Sequence, residues 1–242
     1  MAEYDAIARG YQESKRLPFR EHIERHTLFE LLGNVAGKTV LDLACGDGFY
    51  TRLVRRAGAS QVTGVDISRA MIELAEEQER RQPIGCNYVQ ADVAAFEPDE
   101  RVDLVVAVYL FNYAKTPEQL LRFCRVCHDA LLPAGRLVGL DNNVHNLSAE
   151  PRSLRKYGLE RTWKSPPAEG DAIRYTMINA DGRQIQFDNF YLKPATHAEA
   201  FERAGFRNFR WVDVSLHPSE AGNSLWDDFM ADPPIIAFAA ER

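Results

Sequence analysis

The stretch Val40-Leu41-Asp42-Leu43-Ala44-Cys45-Gly46-Asp47-Gly48 decides the fold of this chain. Residues 39–43 form a short apolar run that reads as a strand, and residues 50–57 keep helical spacing until Gly58 stops them. The turn between them is built of small residues, which let backbone approach a bound ligand closely. Two acids stand downstream at matching places. Asp66 closes a strand at residues 61–65, about 24 residues after Asp42, the offset at which a carboxylate reaches a ribose diol. Asp92 follows a third short strand at residues 88–90. There its carboxylate can accept from an exocyclic amine while the Val93 amide serves a ring nitrogen. Taken singly, the glycines could only cap a tight turn, Asp66 could cap a helix, and Asp92 could be a solvated loop acid. The three together, each acid ending its own strand, specify a nucleoside site.

Working outward, Ser68 is placed to cap a helix over residues 69–81, and Thr116 with Pro117 starts another over 117–131. Residues 102–108 are continuously apolar, as expected of a parallel strand buried on both faces, and 137–140 make a fifth strand. Five strand–helix alternations over 39–141 predict a parallel sheet covered by helices on both sides. Upstream, residues 4–32 have helical spacing with a break at Leu17-Pro18. Downstream, 142–170 is polar and Pro-rich. Residues 171–178 and 184–192 then read as a hairpin turned at Asn179, Asp181 and Gly182. A helix at 196–204 and strands at 209–214 and 235–240 complete the chain.

The 242 residues, 45% hydrophobic and 26% charged, suit one α/β domain. Net charge is −6 and the Lys and Arg residues are scattered, so a nucleic-acid partner is not expected. No run reaches the roughly 18 apolar residues of a membrane helix, so no membrane partner is expected. The opening MAEYDAIARGYQ does not read as a signal peptide. Four cysteines in this length do not make a disulfide scaffold, so a reduced, cytoplasmic protein is expected, as monomer or homodimer.

A dinucleotide turn would carry a third glycine, and Phe49-Tyr50-Thr51 has none. Tyr11-x-x-x-Lys15 mimics a dehydrogenase pair but lies before the first strand. The turn instead resembles motif I of class I S-adenosylmethionine-dependent methyltransferases, with Ala44 where many members have glycine. Gly64-Val65-Asp66-Ile67-Ser68 looks like their ribose-binding strand end, Asp92-Val93 like their adenine site, and Leu132-Pro133-Ala134-Gly135-Arg136-Leu137 like their approach to strand five. The resemblance implies a Rossmann-like, seven-stranded, mostly parallel sheet that binds S-adenosylmethionine and releases S-adenosylhomocysteine. Asp42, Ala44, Gly46, Asp66, Ile67, Met71, Asp92, Val93 and Val108 would line the cofactor site. Tyr4-Asp5-Ala6-Ile7-Ala8, Tyr11-Gln12-Glu13-Ser14-Lys15 and Leu17-Pro18-Phe19-Arg20 are similar, more narrowly, to the toxoflavin synthase group, which N-methylates azapteridines. By that resemblance residues 1–36 form a helical lid over the 37–141 core, with Tyr4, Tyr11, Ser14 and Arg20 lining or closing the pocket. Arg20 would pair the methionine carboxylate.

The expected substrate is a small heteroaromatic molecule of secondary metabolism. O- or C-methylation of another natural product, or a silent cofactor-binding protein, are the alternatives. If the acceptor is a ring nitrogen with a free lone pair, no strong base is needed; a hydroxyl or N–H would want one. His145, after strand five, is the candidate base, with Asn112 and Tyr11 as further candidates beside the transferred methyl. Tyr4, Tyr113 and Asn142 are expected to touch substrate. Residues 142–195 are expected to cap it, with Trp163, Tyr175, Phe187 and Tyr191 as an aromatic lid; 196–242 would finish the sheet. His22 and His26 lie one helical turn apart but lack the acid of a zinc motif, and no metal is expected. Two patterns read as coincidences: Cys124-Arg125-Val126-Cys127-His128, a haem-attachment pattern, and Asn146-Leu147-Ser148, a glycosylation sequon.

Overall fold

A computed structural model describes residues 3–145, 147 and 152–242. Helix α1 (Ala8–Ser14), a π-helical turn (Arg20–Arg25) and α2 (His26–Leu32) precede the core. Then β1 (Thr39–Leu43), α3 (Phe49–Arg56), β2 (Gln61–Asp66), α4 (Arg69–Arg81), β3 (Cys86–Gln90), β4 (Val102–Val108), α5 (Pro117–Asp129) and β5 (Leu131–Asn142) alternate. Strands β6 (Leu159–Trp163), β7 (Ala172–Ile178) and β8 (Gln184–Phe190) follow, then α6 (Pro194–Ala204), β9 (Arg207–Val212), α7 (Asp227–Ala231) and β10 (Ile235–Glu241).

The main sheet has the order β3-β2-β1-β4-β5-β10-β9. β1 to β5 are parallel, while β10 runs antiparallel to both β5 and β9. The order turns back between β1 and β4, so the carboxyl ends of these strands open a crevice there, where ligands of such sheets bind. Leu104 to Ala107 of β4 are wholly buried, as their unbroken apolar run requires. One face of the sheet packs on Leu28, Leu32 and Val54, the other on Leu120, Cys124 and Phe201. Cys124 and Cys127 belong to that second core, so the haem-like pattern is the buried stripe of α5. Ser68 and Thr116 cap α4 and α5 as expected.

The segment after β5 departs from expectation. It carries a three-stranded antiparallel sheet, β6-β7-β8, rather than a hairpin. The missed strand, Leu-Glu-Arg-Thr-Trp, alternates inward and outward, but its central inward residue is Arg161, which hides the apolar alternation. β5 also begins earlier than residue 137, at Leu131, because Val102 on β4 pairs there before the register shifts. The sequon residues Asn146 and Ser148 lie outside the described residues. No described helix is long and apolar enough to cross a membrane.

Candidate active site

At the carboxyl end of β1 the chain enters the left-handed region, with φ of 62° at Ala44, 56° at Gly46 and 78° at Gly48. Glycine tolerates this at no cost; Ala44 does so against its Cβ, so the exchange of glycine for alanine there is not free. A Cβ on Gly46 would meet nothing within 4 Å, since the position faces an open cavity. That cavity is about 280 Å³. The loop after β1 (Ala44, Gly46), the end of β2 (Asp66, Ile67, Met71) and the β3 exit (Asp92, Val93) form one side. Val108, Tyr109, Leu110, Tyr113, Gln119 and Phe123 form the other, and Tyr4 and Tyr11 cover it.

Asp66 accepts the Gly46 amide through Oδ2 and the Ser68 amide through Oδ1, both at 2.8 Å. Burial pushes this carboxyl up, against those two amides. The bonds fix the side chain and leave acceptor capacity free toward the cavity, as a diol would need. Asp92 accepts the Ala94 amide at 2.9 Å. Ile67 is 53% exposed although strongly apolar, and it borders the cavity opposite Leu110 and Phe123. An adenine ring would cover it. These are the features an adenosine moiety needs, so the residues present fit S-adenosylmethionine.

Tyr4, Tyr11, Tyr109 and Tyr113 line this cavity and also a second, small chamber of about 20 Å³. Arg20, Asn142, Tyr175, Phe187 and Asn189 are among its other walls. The tyrosines interlock: Tyr4 meets Tyr11 edge-on at 5.0 Å, and Tyr113 donates to the Tyr4 hydroxyl at 2.5 Å.

Beneath them a buried cluster forms around Glu24. Its carboxylate accepts Arg20 Nη1 at 2.9 and 2.7 Å, the Tyr50 hydroxyl at 2.5 Å and the Tyr109 hydroxyl at 2.7 Å. Burial alone would raise the Glu24 pKa, but Arg20, Lys15 and the two hydroxyls outweigh it and hold the carboxylate below its ordinary range. Arg20 Nε and Nη2 have no partner and are buried. Tyr109 sits at φ 64°, a left-handed conformation that a bulky residue holds only when its surroundings fix it. The bond to Glu24 and an amide bond to the Leu140 carbonyl at 2.8 Å do so.

The residues expected from the sequence separate into three sets. Tyr4, Tyr11, Ala44, Gly46, Asp66, Ile67, Met71, Asp92, Val93, Val108 and Tyr113 line the large cavity. Arg20, Asn142 and Tyr175 line the small chamber. Six stand elsewhere. Ser14 is buried with its hydroxyl donating to the Tyr11 carbonyl at 2.6 Å, so it shapes the lid helix rather than the pocket. Asp42 lies within the sheet, accepting the Thr51 hydroxyl at 2.6 Å; burial pushes its pKa up to about 7. Asn112 is buried below the chamber, its amide nitrogen 2.8 Å from Asp141 Oδ1 and its oxygen 2.7 Å from Asn189 Nδ2. His145 corrects the base assignment: it is exposed, lies edge-on to Trp211 at 5.5 Å, and lines neither cavity. Strand five does lead to the ligand edge, but His145 lies past the β5–β10 pairing, on the β9 side. Trp163 packs under Arg161, and Tyr191 lies past the end of β8. Glu24, Tyr109 and Asn189 were not anticipated. Glu24 sits in a run of charges that reads as a solvated helix face, and only its burial sets it apart.

Comparison with known proteins agrees with this geometry. A nucleoside pocket at the switch point of a sheet with antiparallel β10 defines an S-adenosylmethionine-type α/β transferase. The Methyltransferase domain family profile matches residues 40–135. A demethylmenaquinone methyltransferase of Tropheryma whipplei is 31% identical over 220 residues, spanning 88% of this chain and 85% of its own length. An N-demethylindolmycin N-methyltransferase of Streptomyces griseus is 24% identical over 167 residues, 69% of this chain and 68% of that one. An S-adenosylmethionine-dependent methyltransferase structure from Mesorhizobium loti superposes with a TM-score of 0.65 at 21% identity, covering 89% and 95% of the two chains. The chain belongs to the class I S-adenosylmethionine-dependent methyltransferases.

Two expectations follow from the buried acids. Glu24→Gln leaves Arg20 with a neutral partner in the interior, and should lower stability to urea by about 3–5 kcal/mol; a loss under about 1 kcal/mol would show that the cluster does not hold the fold. Burial raises Asp141 to about 8, against hydrogen bonds from Asn142 and Asn112. Its folded pKa therefore lies above the unfolded value, and the stability it contributes is complete at low pH and fades as pH rises through about 8. Asp141→Asn should flatten the decline in melting temperature between about pH 5 and about pH 9, measured against wild type.

Proposed function

We propose that the chain methylates a small planar heteroaromatic molecule, on a ring nitrogen, in the space where the two cavities meet. The carrying observation is the wall of four tyrosines shared by both cavities, with no histidine among the described lining residues. Tyrosine faces suit a sulfonium and also pack flat rings. A ring nitrogen with a free lone pair needs no base, and histidine, the commonest one, is not among the described lining residues. The relative named as an N-demethylindolmycin N-methyltransferase supports methylation at nitrogen. The resemblance of Tyr4, Tyr11 and Arg20 to the toxoflavin synthase group points the same way.

The cofactor supplies an already activated methyl group, so the chain's work is alignment and exclusion of water. In this reading Asp66 holds the ribose hydroxyls, Asp92 and the Val93 amide read the adenine edge, and Ile67 with Met71 packs against the ring. The two free nitrogens of Arg20 receive the methionine carboxylate. The N-terminal segment closes over the donor, and the β6–β8 sheet covers the acceptor. Tyr11 and Tyr113 face the methyl. A cytoplasmic location fits such a reaction on a small metabolite.

Asp66→Ala should weaken S-adenosylhomocysteine binding by on the order of 1.5–3 kcal/mol, the scale of a hydrogen bond to a charged group, as read by calorimetry. Isotope-labelled S-adenosylmethionine with demethylated azapteridines, phenols and amines tests the acceptor. Label on a ring nitrogen is expected. Label on a phenol oxygen or a carbon keeps the methyltransferase and discards N-methylation; bound S-adenosylhomocysteine with no transfer to any of them would argue for a silent binding protein.

A further inference from the structure

The inner face of the β6–β8 sheet is built from nine alternate residues. Leu159, Ile173, Met177, Ile185 and Phe187 are apolar and buried, as a sheet lying on a core requires. Arg161 interrupts them. It is 7% exposed, and none of its three guanidinium nitrogens has a hydrogen-bond partner. It makes no ion pair among the described residues. Its one close companion besides the Trp163 ring, at 5.4 Å, is its cross-strand neighbour Tyr175. The Tyr175 hydroxyl is also unpartnered, in a residue only 3% exposed, and it lines the small chamber. Burial pushes this phenol up to about 12, and the charge and side-chain proximity of Arg161, short of a well-formed hydrogen bond, pull the other way. A stacked indole face does not replace the hydrogen bonds that five N–H groups lose on leaving water. A buried arginine with every donor free is a site waiting for an anion.

The chamber that Tyr175 lines agrees. Its volume of about 20 Å³ holds one small polar group, not a ring. Asn142 donates to Asn189 at 3.0 Å, which keeps two further amides at its wall. The tyrosines that separate it from the large cavity would hold the ring to which such a group is attached. Arg20 also lines this chamber and has free nitrogens, but its charge is already matched by Glu24, whereas no carboxylate among the described residues pairs with Arg161.

We propose that the methyl acceptor carries a carboxylate, seated where the small chamber ends at Tyr175 and held by that hydroxyl and by Arg161, the cross-strand neighbour that stands behind the chamber's lining. This rests on the methyltransferase reading and adds the acceptor's charge to it. Planar ring acids are thus the substrate class, and Arg161 is the residue that selects them over neutral analogues.

The test uses the full chain saturated with S-adenosylhomocysteine, titrated calorimetrically with benzoate, 2-aminobenzoate and indole-3-acetate and with their primary amides. At least one acid should bind about ten-fold tighter than its amide. Arg161→Gln should erase that preference while S-adenosylhomocysteine affinity stays within about two-fold, and Arg161→Lys should restore part of it. Tyr175→Phe, which keeps the ring packing, should weaken the acid about three-fold and serves if the arginine variants fail to fold. Arg20→Gln should do the reverse, weakening S-adenosylhomocysteine and sparing the acid preference. Equal binding of every acid and its amide, or no binding of any acid, would overturn the proposal, as would a preference that survives Arg161→Gln. Failure of the wild type to bind S-adenosylhomocysteine would instead defeat the reading beneath it.

Discussion

One carboxylate, Glu24, ties the N-terminal segment to the sheet. It accepts from Arg20 on its own helical turn, from Tyr50 at the start of α3, and from Tyr109 beyond the end of β4. Those three donors come from the lid, from the helix behind the glycine turn, and from the far wall of the cavity. Without a buried anion at this point, Arg20 would be an uncompensated charge and Tyr109 would lose a bond that keeps it left-handed. The π-helical turn that carries both Arg20 and Glu24 widens the helix by one residue at this place, as such turns do near functional sites. Tyr4 and Tyr11 reach the cavity because the chain following them is fixed here.

The acids of this site differ in state because they differ in company. Glu24 is as buried as Asp42 and Asp141, yet it keeps its charge beside a guanidinium and two phenols. Asp42 and Asp141 have only neutral donors, and both move up toward neutral pH. Burial by itself thus does not decide whether a carboxyl is an anion; the nearest cation does. Asp141 directly precedes Asn142, a wall of the small chamber, and the upward shift of its carboxyl favours the uncharged form beside it.

The cofactor half of the site was legible because its signals are local. A small-residue turn between strand and helix, and acids at strand ends, sit a fixed number of residues apart and need no tertiary contact to be read. Tyr4, Tyr11 and Arg20 came from a likeness to a known group, and the cavities do include them. What could not be read was burial. Glu24 and Arg161 look like solvated charges among other charges, and only the packed chain shows that both are buried. His145 misled because a position after a strand gives the sheet edge and not the direction of the side chain. Ser14 and Asn112 failed for the same reason: both are close in sequence to pocket residues but turn inward to satisfy backbone or a neighbouring acid.

The β6–β8 sheet leaves the core after β5 and returns before α6, so the side of the small chamber that it supplies, from Leu159 to Asn189, is one contiguous stretch of chain. The donor pocket, by contrast, is assembled from five separated segments reaching from Tyr4 to Phe123. The two halves can therefore change at different rates over evolution. A descendant could exchange the part of the acceptor wall that the β6–β8 sheet supplies in a single recombination between residues 143 and 193 without disturbing a strand of the main sheet. An altered donor would require coordinated change at many places at once.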